Sequence, residues 1–275
     1  MTLIDKLKYK NSPFEIVQID GDKGKYNLLK SIKPDYLKKT PCIDIPEGVN
    51  RIVNSLFHGN IVTKQVILPS SLEAIPRFCF SNSNIEEIFI NDGPKRIEEF
   101  AFQRTNIKSI VIPDTVSFID KYAFVDNYDL EEVILPNNSA FNTISQESFS
   151  NCQSLKKINL PDSITEIEAA AFSHCKVLEN ITLPKSLKRI YYAAFSDTVL
   201  NGSIDIPETL LFMSDTAFTN TNIACLVLPK NAFLGHDYLL EKTPTIIASK
   251  EVIKKQAPGK AACLIVFTGS FTALQ

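Results

Sequence analysis

Apolar residues return along this chain at a nearly constant interval. Phenylalanine recurs in steps of 23, 22, 22, 25, 23, 23 and 23 residues. The positions are Phe57, Phe80, Phe102, Phe124, Phe149, Phe172, Phe195 and Phe218. Such an interval is characteristic of one supersecondary unit stacked on itself. Because a unit of this size cannot bury its apolar face alone, each one has to pack against its neighbours. The pattern therefore predicts a solenoid.

Every unit has the same internal order. A short apolar pattern ends at a proline, as in Leu155-x-x-Ile158-x-Leu160-Pro161. The last two apolar residues alternate, so they point to one face of a strand and the residue between them points to the other. Proline ends the strand because it cannot donate to a ladder. Apolar residues three and six positions later, such as Ile164 and Ile167, predict a second inward-facing arc before the phenylalanine.

A small hydrogen-bonding residue stands three positions after each phenylalanine. These residues are Asn60, Ser83, Thr105, Asn127, Cys152, Cys175, Thr198 and Thr221. Stacked coils place them in a column, about 4.8 Å apart, where they can pair with backbone groups of the next turn. This column, the strand with its proline and the trailing Ala170-Ala171-Phe172 type of motif resemble the BspA-like leucine-rich repeats. The resemblance covers about Cys42 to Leu228, with eight full repeats and a ninth begun at Ile223.

The two ends differ from the middle, as the ends of a solenoid must if their apolar faces are to be covered. Residues 1–41 contain no repeat and are interpreted as an N-terminal cap built on a hairpin. Residues 42–229 are the leucine-rich-repeat solenoid of short parallel strands, with turns and short helical or extended arcs on the other side. Residues 230–275 are a C-terminal repeat remnant and cap, in which we predict strands at 245–248 and 263–267 and a short helix beginning at Ser249.

Three repeats depart from the pattern. Two extra residues within Asn137-Asn138-Ser139-Ala140 predict a small bulge at the turn. The sequence Asn91-Asp92-Gly93-Pro94 replaces a strand-ending proline with a turn of its own. Polar residues in Asn201-Gly202-Ser203 replace the first strand leucine and predict a loose coil.

Composition narrows the class of partner. The chain is 44% hydrophobic and 22% charged, as globular proteins are, and its formal net charge of −2 argues against nucleic acid as a ligand. No apolar stretch reaches the roughly 20 residues that span a bilayer, and Met1–Lys6 shows no signal-peptide pattern. We expect a monomer. A complete chain would act in the cytoplasm, whereas a trimmed leader would place it at the cell surface or outside the cell.

The sequence contains no convincing active site. The histidines His58, His174 and His236 are far apart, and His236-Asp237 is the only adjacent acid/base pair. An enzyme with a site near the C-terminal cap is therefore the weakest alternative, and no cofactor is expected. The six cysteines include no C-x-x-C pair, so no metal site is expected. Cys152 and Cys175 lie one repeat apart, and we interpret them as reduced members of the polar column.

The outward-facing strand positions indicate a binding surface. In four consecutive repeats the residue between the two inward ones is apolar, and Asn159, Thr182 and Asp205 follow. The four are Ile67, Phe89, Val111 and Ile134, which we call the apolar stripe; Gln65, Glu87, Ser109 and Glu132 flank it. An apolar stripe with a polar rim suits a protein partner. Ordinary β-propensity explains the same residues equally well, so both interpretations stay open.

The acidic pairs on the strands have a simpler explanation. Glu86-Glu87 and Glu131-Glu132 have Lys108 and Lys156-Lys157 as neighbours in their columns, which predicts charge compensation along the sheet. The sequence thus favours a non-enzymatic protein-binding or scaffolding module, with Ile67, Phe89, Val111, Ile134, Glu87 and Glu132 as candidate contacts. The BspA-like resemblance implies an alternative, a microbial or protist surface adhesin that interacts with a host.

Overall fold

The computed structural model describes residues 12–22, 24–229, 232–235, 246–247 and 264–267. Within them the chain forms a solenoid of parallel coils, as predicted. The N-terminal hairpin pairs β1 (Phe14–Gly21) with β2 (Gly24–Ile32) antiparallel, and one short helix, α1 (Pro34–Leu37), leads into the first coil. β2 also pairs in parallel with β4, which joins the hairpin to the solenoid.

The first side of each coil, the strand face, is built from the pattern that ends at proline. Its strands are β3 (Cys42–Asp44), β5 (Gln65–Leu68), β7 (Glu87–Ile90), β9 (Ser109–Val111), β11 (Glu132–Ile134), β13 (Lys157–Asn159), β16 (Asn201–Ile204), β18 (Asn222–Leu228), β20 (Ile246–Ile247) and β21 (Leu264–Phe267). They form three sheets, in the orders β3-β5-β7, β9-β11-β13 and β16-β18-β21-β20. The helix predicted from Ser249 lies outside the described residues.

The second side of each coil corresponds to the predicted inward-facing arc. Its strands are β4 (Arg51–Ile52), β6 (Ala74–Ile75), β8 (Arg96–Ile97), β10 (Phe118–Ile119), β12 (Thr143–Ile144), β14 (Glu166–Ile167), β15 (Arg189–Ile190), β17 (Phe212–Ser214) and β19 (Phe233–Gly235). They also form three sheets, β1-β2-β4, β6-β8-β10 and β12-β14-β15-β17-β19. The buried residue of each short strand, such as Ile97 or Ile167, points into a core shared with the strand face.

The third side, which we call the Phe arc, runs from two residues before to three residues after each repeat phenylalanine. The eight rings are buried and stack in one unbroken column, with successive ring centroids 4.9 to 5.7 Å apart. The backbone follows the same register: Phe80 N–H donates to the Ala101 carbonyl at 2.8 Å, and Phe102 N–H to the Ala123 carbonyl at 2.8 Å. The core therefore runs through all eight coils.

Left-handed backbone conformations shape the Phe arc. Positive φ angles recur two residues before the phenylalanine, as at Phe78 (55°) and Ala170 (53°), and two residues after it, as at Asn82 (54°) and His174 (60°). This region is unfavourable for residues with a Cβ. Stacked neighbours hold it in place, because the residue two positions after the phenylalanine also donates to the next coil: Asn82 N–H bonds the Gln103 carbonyl at 2.8 Å.

The polar column closes the turn that follows the Phe arc, as expected. Asn127 is the most connected member: its Oδ1 accepts from Thr105 N (2.9 Å) and Oγ1 (2.6 Å), and its Nδ2 donates to the Phe102 and Phe124 carbonyls at 2.7 and 2.8 Å. Cys152 Sγ donates to the Phe124 carbonyl at 3.3 Å. Because these groups are buried, the column meets a backbone requirement that every coil shares.

The two-residue insertion interrupts the second side of the solenoid. No ladder joins β10 to β12 among the described residues. Asn138 organises the enlarged turn: its amide donates to the Asp114 and Val116 carbonyls, and its Oδ1 accepts from Ala140 N at 2.9 Å. The predicted bulge is confirmed. The Phe arc continues across it, because Phe124 N–H still bonds the carbonyl before the next phenylalanine at 2.8 Å.

The coil predicted to be loose is paired instead. Residues 201–204 form β16, and its ladder with β18 bulges after Gly202, whose φ is 73°. The irregularity falls one coil earlier, because residues 178–183 form no strand although Leu178 and Leu183 stay buried.

Candidate protein-binding surface

The structure brings the predicted apolar stripe together on the strand face. The ladders place Ile67 opposite Phe89, and Val111 opposite Ile134. Phe89 is 50% exposed, Val111 60% and Ile134 43%. Ile67 is half-buried, so it is less exposed than the sequence pattern predicts. The outward direction of the stripe follows from the buried residues on either side, such as Ile110 and Ile112.

A cleft divides the apolar stripe in its middle. Among the described strands, β7 and β9 are successive members of the strand face but share no ladder. A cleft of about 590 Å³ lies between them, and Phe89, Val111 and Lys108 are among the residues that line it. The stripe is therefore two short apolar ridges beside a recess, rather than a flat surface.

One cue in the sequence coincides with this recess. The coil that contains β7 is the one in which Asn91-Asp92-Gly93-Pro94 replaces the strand-ending proline. Asn91 Nδ2 donates to the Leu68 carbonyl at 2.9 Å. A Cβ on Gly93 would lie 2.2 Å from the Ser70 carbonyl oxygen, so only glycine fits against the preceding coil here.

A row of alternating charges runs beside the apolar stripe. This charged band consists of Lys64, Glu86, Lys108, Glu131 and Lys156. Lys64 Nζ lies 2.6 Å from Glu86 Oε1, and Lys156 Nζ lies 2.9 Å from Glu131 Oε2. The hydrogen bond from Lys156 lowers the pKa of Glu131. Charge compensation along the sheet is thus confirmed for Glu131, but Glu86 pairs with Lys64 rather than with Lys108.

The row between the charged band and the apolar stripe contains the two flanking acids predicted as contacts. Glu132 pairs with Lys157, whose Nζ lies 2.5 Å from Glu132 Oε1. Glu87 accepts a hydrogen bond from Gln65 Nε2 at 2.6 Å. Because Gln65 is neutral, the carboxylate of Glu87 at the edge of the cleft has no cationic partner among the described residues, whereas Glu132 is paired with Lys157.

The strand face changes character beyond Ile134. The next outward residues, Asn159, Thr182 and Asp205, are exposed and polar. A second cleft of about 540 Å³ lies where residues 178–183 form no strand, and these three polar residues line it. The face therefore has an apolar part with one recess and a polar part with another. Sequence reasoning predicted the change in polarity and missed both recesses.

The remaining chemically active side chains do not form a comparable site in the described residues. His174 Nδ1 lies 3.7 Å from Asp197 Oδ2 on the Phe arc, and both side chains are exposed. Burial raises the pKa of the Cys175 thiol to about 12 and that of Cys152 well above its usual value, which disfavours the nucleophilic thiolate. The pair His236-Asp237 lies outside the described residues.

In the part of the chain that the structure describes, no group of three or more His, Cys, Asp or Glu side chains is placed to hold a metal ion. None of the described helices has the length and apolar character needed to cross a bilayer.

Solved structures share this architecture. A leucine-rich repeat protein from Bacteroides ovatus superposes with a TM-score of 0.62 at 23% identity, covering 86% of this chain and 69% of that one. The pneumococcal vaccine antigen PcpA superposes with a TM-score of 0.54 at 18% identity, covering 86% of this chain and 79% of that one. At these identities the likeness is one of fold. No curated protein sequence matches the chain.

A family model decides the classification. The model of the BspA type leucine rich repeat region matches residues 35–141 and 126–245, in six copies. Those ranges include the strand face from β3 to β18, the Phe arcs and the polar column described above. The chain belongs to the BspA-type leucine-rich repeat family.

Proposed function

We propose that this protein is a non-enzymatic protein-binding module that docks a partner on the apolar part of its strand face. The carrying observation is the apolar stripe: Phe89, Val111 and Ile134 are each more than two-fifths exposed on adjacent coils, beside a cleft of about 590 Å³. Contiguous apolar surface with a polar rim is characteristic of interaction sites. On this proposal residues 42–229 hold the function and residues 1–41 and 230–275 are caps.

Phe89 is the expected anchor of the interface. It lies in the middle of the stripe, at the wall of the cleft, and it is the only aromatic residue among the four. Aromatic residues near the centre of an interface often dominate its energy, with losses of about 2 kcal/mol or more on truncation. Val111, at 60% exposure, covers the opposite wall and is expected to contribute less.

Quantitative affinity enrichment tests the proposal. Wild type, Phe89→Ala and Thr182→Ala would each be immobilised and exposed to the same lysate, after circular dichroism has shown that all three melt alike. We expect specifically captured proteins to fall by at least about tenfold with Phe89→Ala, as a 1.4 kcal/mol loss requires, and to remain with Thr182→Ala. Thr182 is exposed on the polar part of the same face, which makes it a matched control.

Two results would contradict the proposal. If Phe89→Ala unfolds the protein, the ring is a packing residue and the stripe is a property of β-strands. If both variants capture the same proteins as wild type, the binding site lies on another side of the solenoid.

A further inference from the structure

Successive coils of the strand face repeat at a distance close to the pitch of an α-helix. Paired strands lie about 4.8 Å apart, and the rings of the Phe arc in the same coils have a similar spacing: their centroids are 5.1 Å apart between Phe57 and Phe80, 5.2 Å between Phe80 and Phe102, and 4.9 Å between Phe102 and Phe124. An α-helix advances about 5.4 Å per turn, whereas same-face residues of a β-strand lie about 6.6–6.8 Å apart. If a partner element runs along the solenoid axis, its same-face residues therefore match the spacing of the coils when that element is an α-helix.

The length of the apolar stripe can be compared with the length of a helix and of a strand that present the same number of contact residues. From Ile67 to Ile134 the stripe spans three coil steps, or about 15 Å at the strand spacing. Helix positions i, i+4, i+7 and i+11 span about 16.5 Å. Four same-face positions of a strand span about 20 Å. The helix stays within roughly 2 Å of the stripe over its whole length, and the strand drifts by about one full coil.

Lys108 is the one cation of the charged band that forms no close ion pair among the described residues, although, after the hydrogen bond from Lys156, its charge also contributes to lowering the pKa of Glu131. Lys108 lies between Glu86 and Glu131, but both acids bond the lysine on their far side. Within the described residues Lys108 forms no ion pair. It lines the same cleft as Phe89 and Val111. A carboxylate on the partner, placed over this cleft, would give Lys108 a direct ion-pair partner.

Glu87, in the coil before Lys108, favours a cation on the partner. Its carboxylate lines the same cleft and is bonded only to a neutral amide, Gln65 Nε2. An evenly acidic ligand would meet repulsion at this point, and an evenly basic ligand would meet it at Lys108. The surface therefore favours a partner with a basic and an acidic residue about one helical turn apart, beside its apolar ridge.

We propose that the partner docks an amphipathic α-helix along the solenoid axis, with its apolar ridge on the apolar stripe, an Asp or Glu facing Lys108 and a Lys or Arg facing Glu87. This inference rests on the proposed function, since it names the partner of the same surface. We assign the helix to another protein; α1, the one helix among the described residues, has four residues and is too short for this role. A helix laid in an apolar groove is a common mode of peptide recognition, with anchors at i, i+4 and i+7.

Display selection on the full chain tests the inference. Two peptide libraries of equal length would be used, one in a helix-forming frame with a randomised face and one held extended by regularly spaced prolines. We expect binders from the helical library, with apolar residues at i, i+4 and i+7 and one flanking acid. Lys108→Glu should weaken them by at least about tenfold, and exchanging the acid of the peptide for lysine should restore binding to Lys108→Glu.

Lys176→Glu is the matched control. It makes the same charge change at an exposed lysine on the far side of the coil, four residues after Phe172, and should leave binding unchanged. Circular dichroism checks that both lysine variants fold.

The outcomes separate the inference from the proposed function. If the extended library supplies the binders, or if Lys108→Glu has no effect while Phe89→Ala abolishes binding, the helix inference is overturned and the docking surface stands. If binders of either kind ignore Phe89→Ala, the proposed function fails together with the inference.

Discussion

The Phe arc and the strand face belong to the same coils, yet they differ in continuity. The Phe arc stacks without interruption from Phe57 to Phe218, across the insertion in the fifth repeat. The strand face is divided into three sheets, and a cleft lies at each division. Solenoid stability is a sum of contacts between neighbouring repeats. If one side supplies those contacts in every coil, another side can lose a ladder and form a recess without ending the solenoid.

The most severe test of this comparison is to remove a ring from the Phe arc. Phe172 is fully buried, with its ring centroid 5.7 Å from that of Phe149 and 5.4 Å from that of Phe195. We expect Phe172→Ala to lower the free energy of unfolding by about 3–5 kcal/mol, measured by urea denaturation. The matched truncation on the strand face, Phe89→Ala, should cost less than about 1 kcal/mol. Equal losses at the two sites would refute the division of roles.

The next largest effect is expected where the polar column links two coils. Asn127→Ala removes both bonds to Thr105 and leaves the buried carbonyls of Phe102 and Phe124 without the amide donor. An unpaired buried polar group costs about 1–3 kcal/mol, so a total loss of about 3 kcal/mol is expected in the same denaturation assay. Thr198→Ala is the control: its hydroxyl makes one bond, to the Phe195 carbonyl at 2.9 Å, and about 1 kcal/mol should be lost.

A smaller effect with the opposite sign is expected one position before the phenylalanine. Ser148 stands in a row that contains Ala123 and Ala171 in the neighbouring coils, and its buried hydroxyl has no hydrogen-bond partner in the described structure. Replacing it with alanine removes an unpaired group, so Ser148→Ala should raise the free energy of unfolding by about 1 kcal/mol.

Ser173→Ala provides the comparison for that gain. The Ser173 and Ser196 hydroxyls lie 2.8 Å apart and satisfy each other, so its removal should destabilise. A gain at both serines would show that alanine itself, rather than the unpaired hydroxyl, stabilises this part of the coil.

These contrasts explain which features of the structure can be predicted from the sequence and which cannot. Every coil has the same backbone requirements, and these select the same residue types at the same offsets. The sequence therefore repeats the phenylalanine, the strand pattern and the polar column at fixed positions. The direction of Phe89 and Val111 follows from the same period. The gap between β7 and β9 is different, because it depends on how two particular coils meet. Asn91-Asp92-Gly93-Pro94 marks one of those coils, but a turn sequence does not reveal that a ladder is missing beside it.

The repeat period also does not predict which residues of the charged band form ion pairs with each other. Glu86 has one lysine in the preceding coil and another in the following coil. The order of residues along the column does not indicate which of the two forms an ion pair with Glu86. The structure selects Lys64, at 2.6 Å, and leaves Lys108 to the cleft. The partner helix that we propose depends on this choice between two equivalent neighbours.

The smallest effect is expected at Cys152, where the Phe arc meets the polar column. Its thiol donates to the Phe124 carbonyl, and threonine at Thr198 and Thr221 donates instead to the phenylalanine carbonyl of its own coil, each at 2.9 Å. Cys152→Thr thus exchanges one satisfied bond for another and should change the free energy of unfolding by less than about 0.5 kcal/mol.

Thiol labelling gives the same position a second readout. Burial raises the pKa of the Cys152 and Cys175 thiols, so the reactive thiolate is depleted at pH 8, whereas Cys42 is exposed. An alkylating reagent should therefore modify Cys42 in the folded protein and reach Cys152 and Cys175 only on unfolding. Phe172→Ala should speed the labelling of these protected thiols, and Phe89→Ala should not, because Phe172 packs in the core of these coils whereas Phe89 is exposed on the strand face. A disulfide between Cys152 and Cys175 in the non-reduced protein would contradict the packing described here, since both thiols would then be bridged rather than bonded to backbone carbonyls.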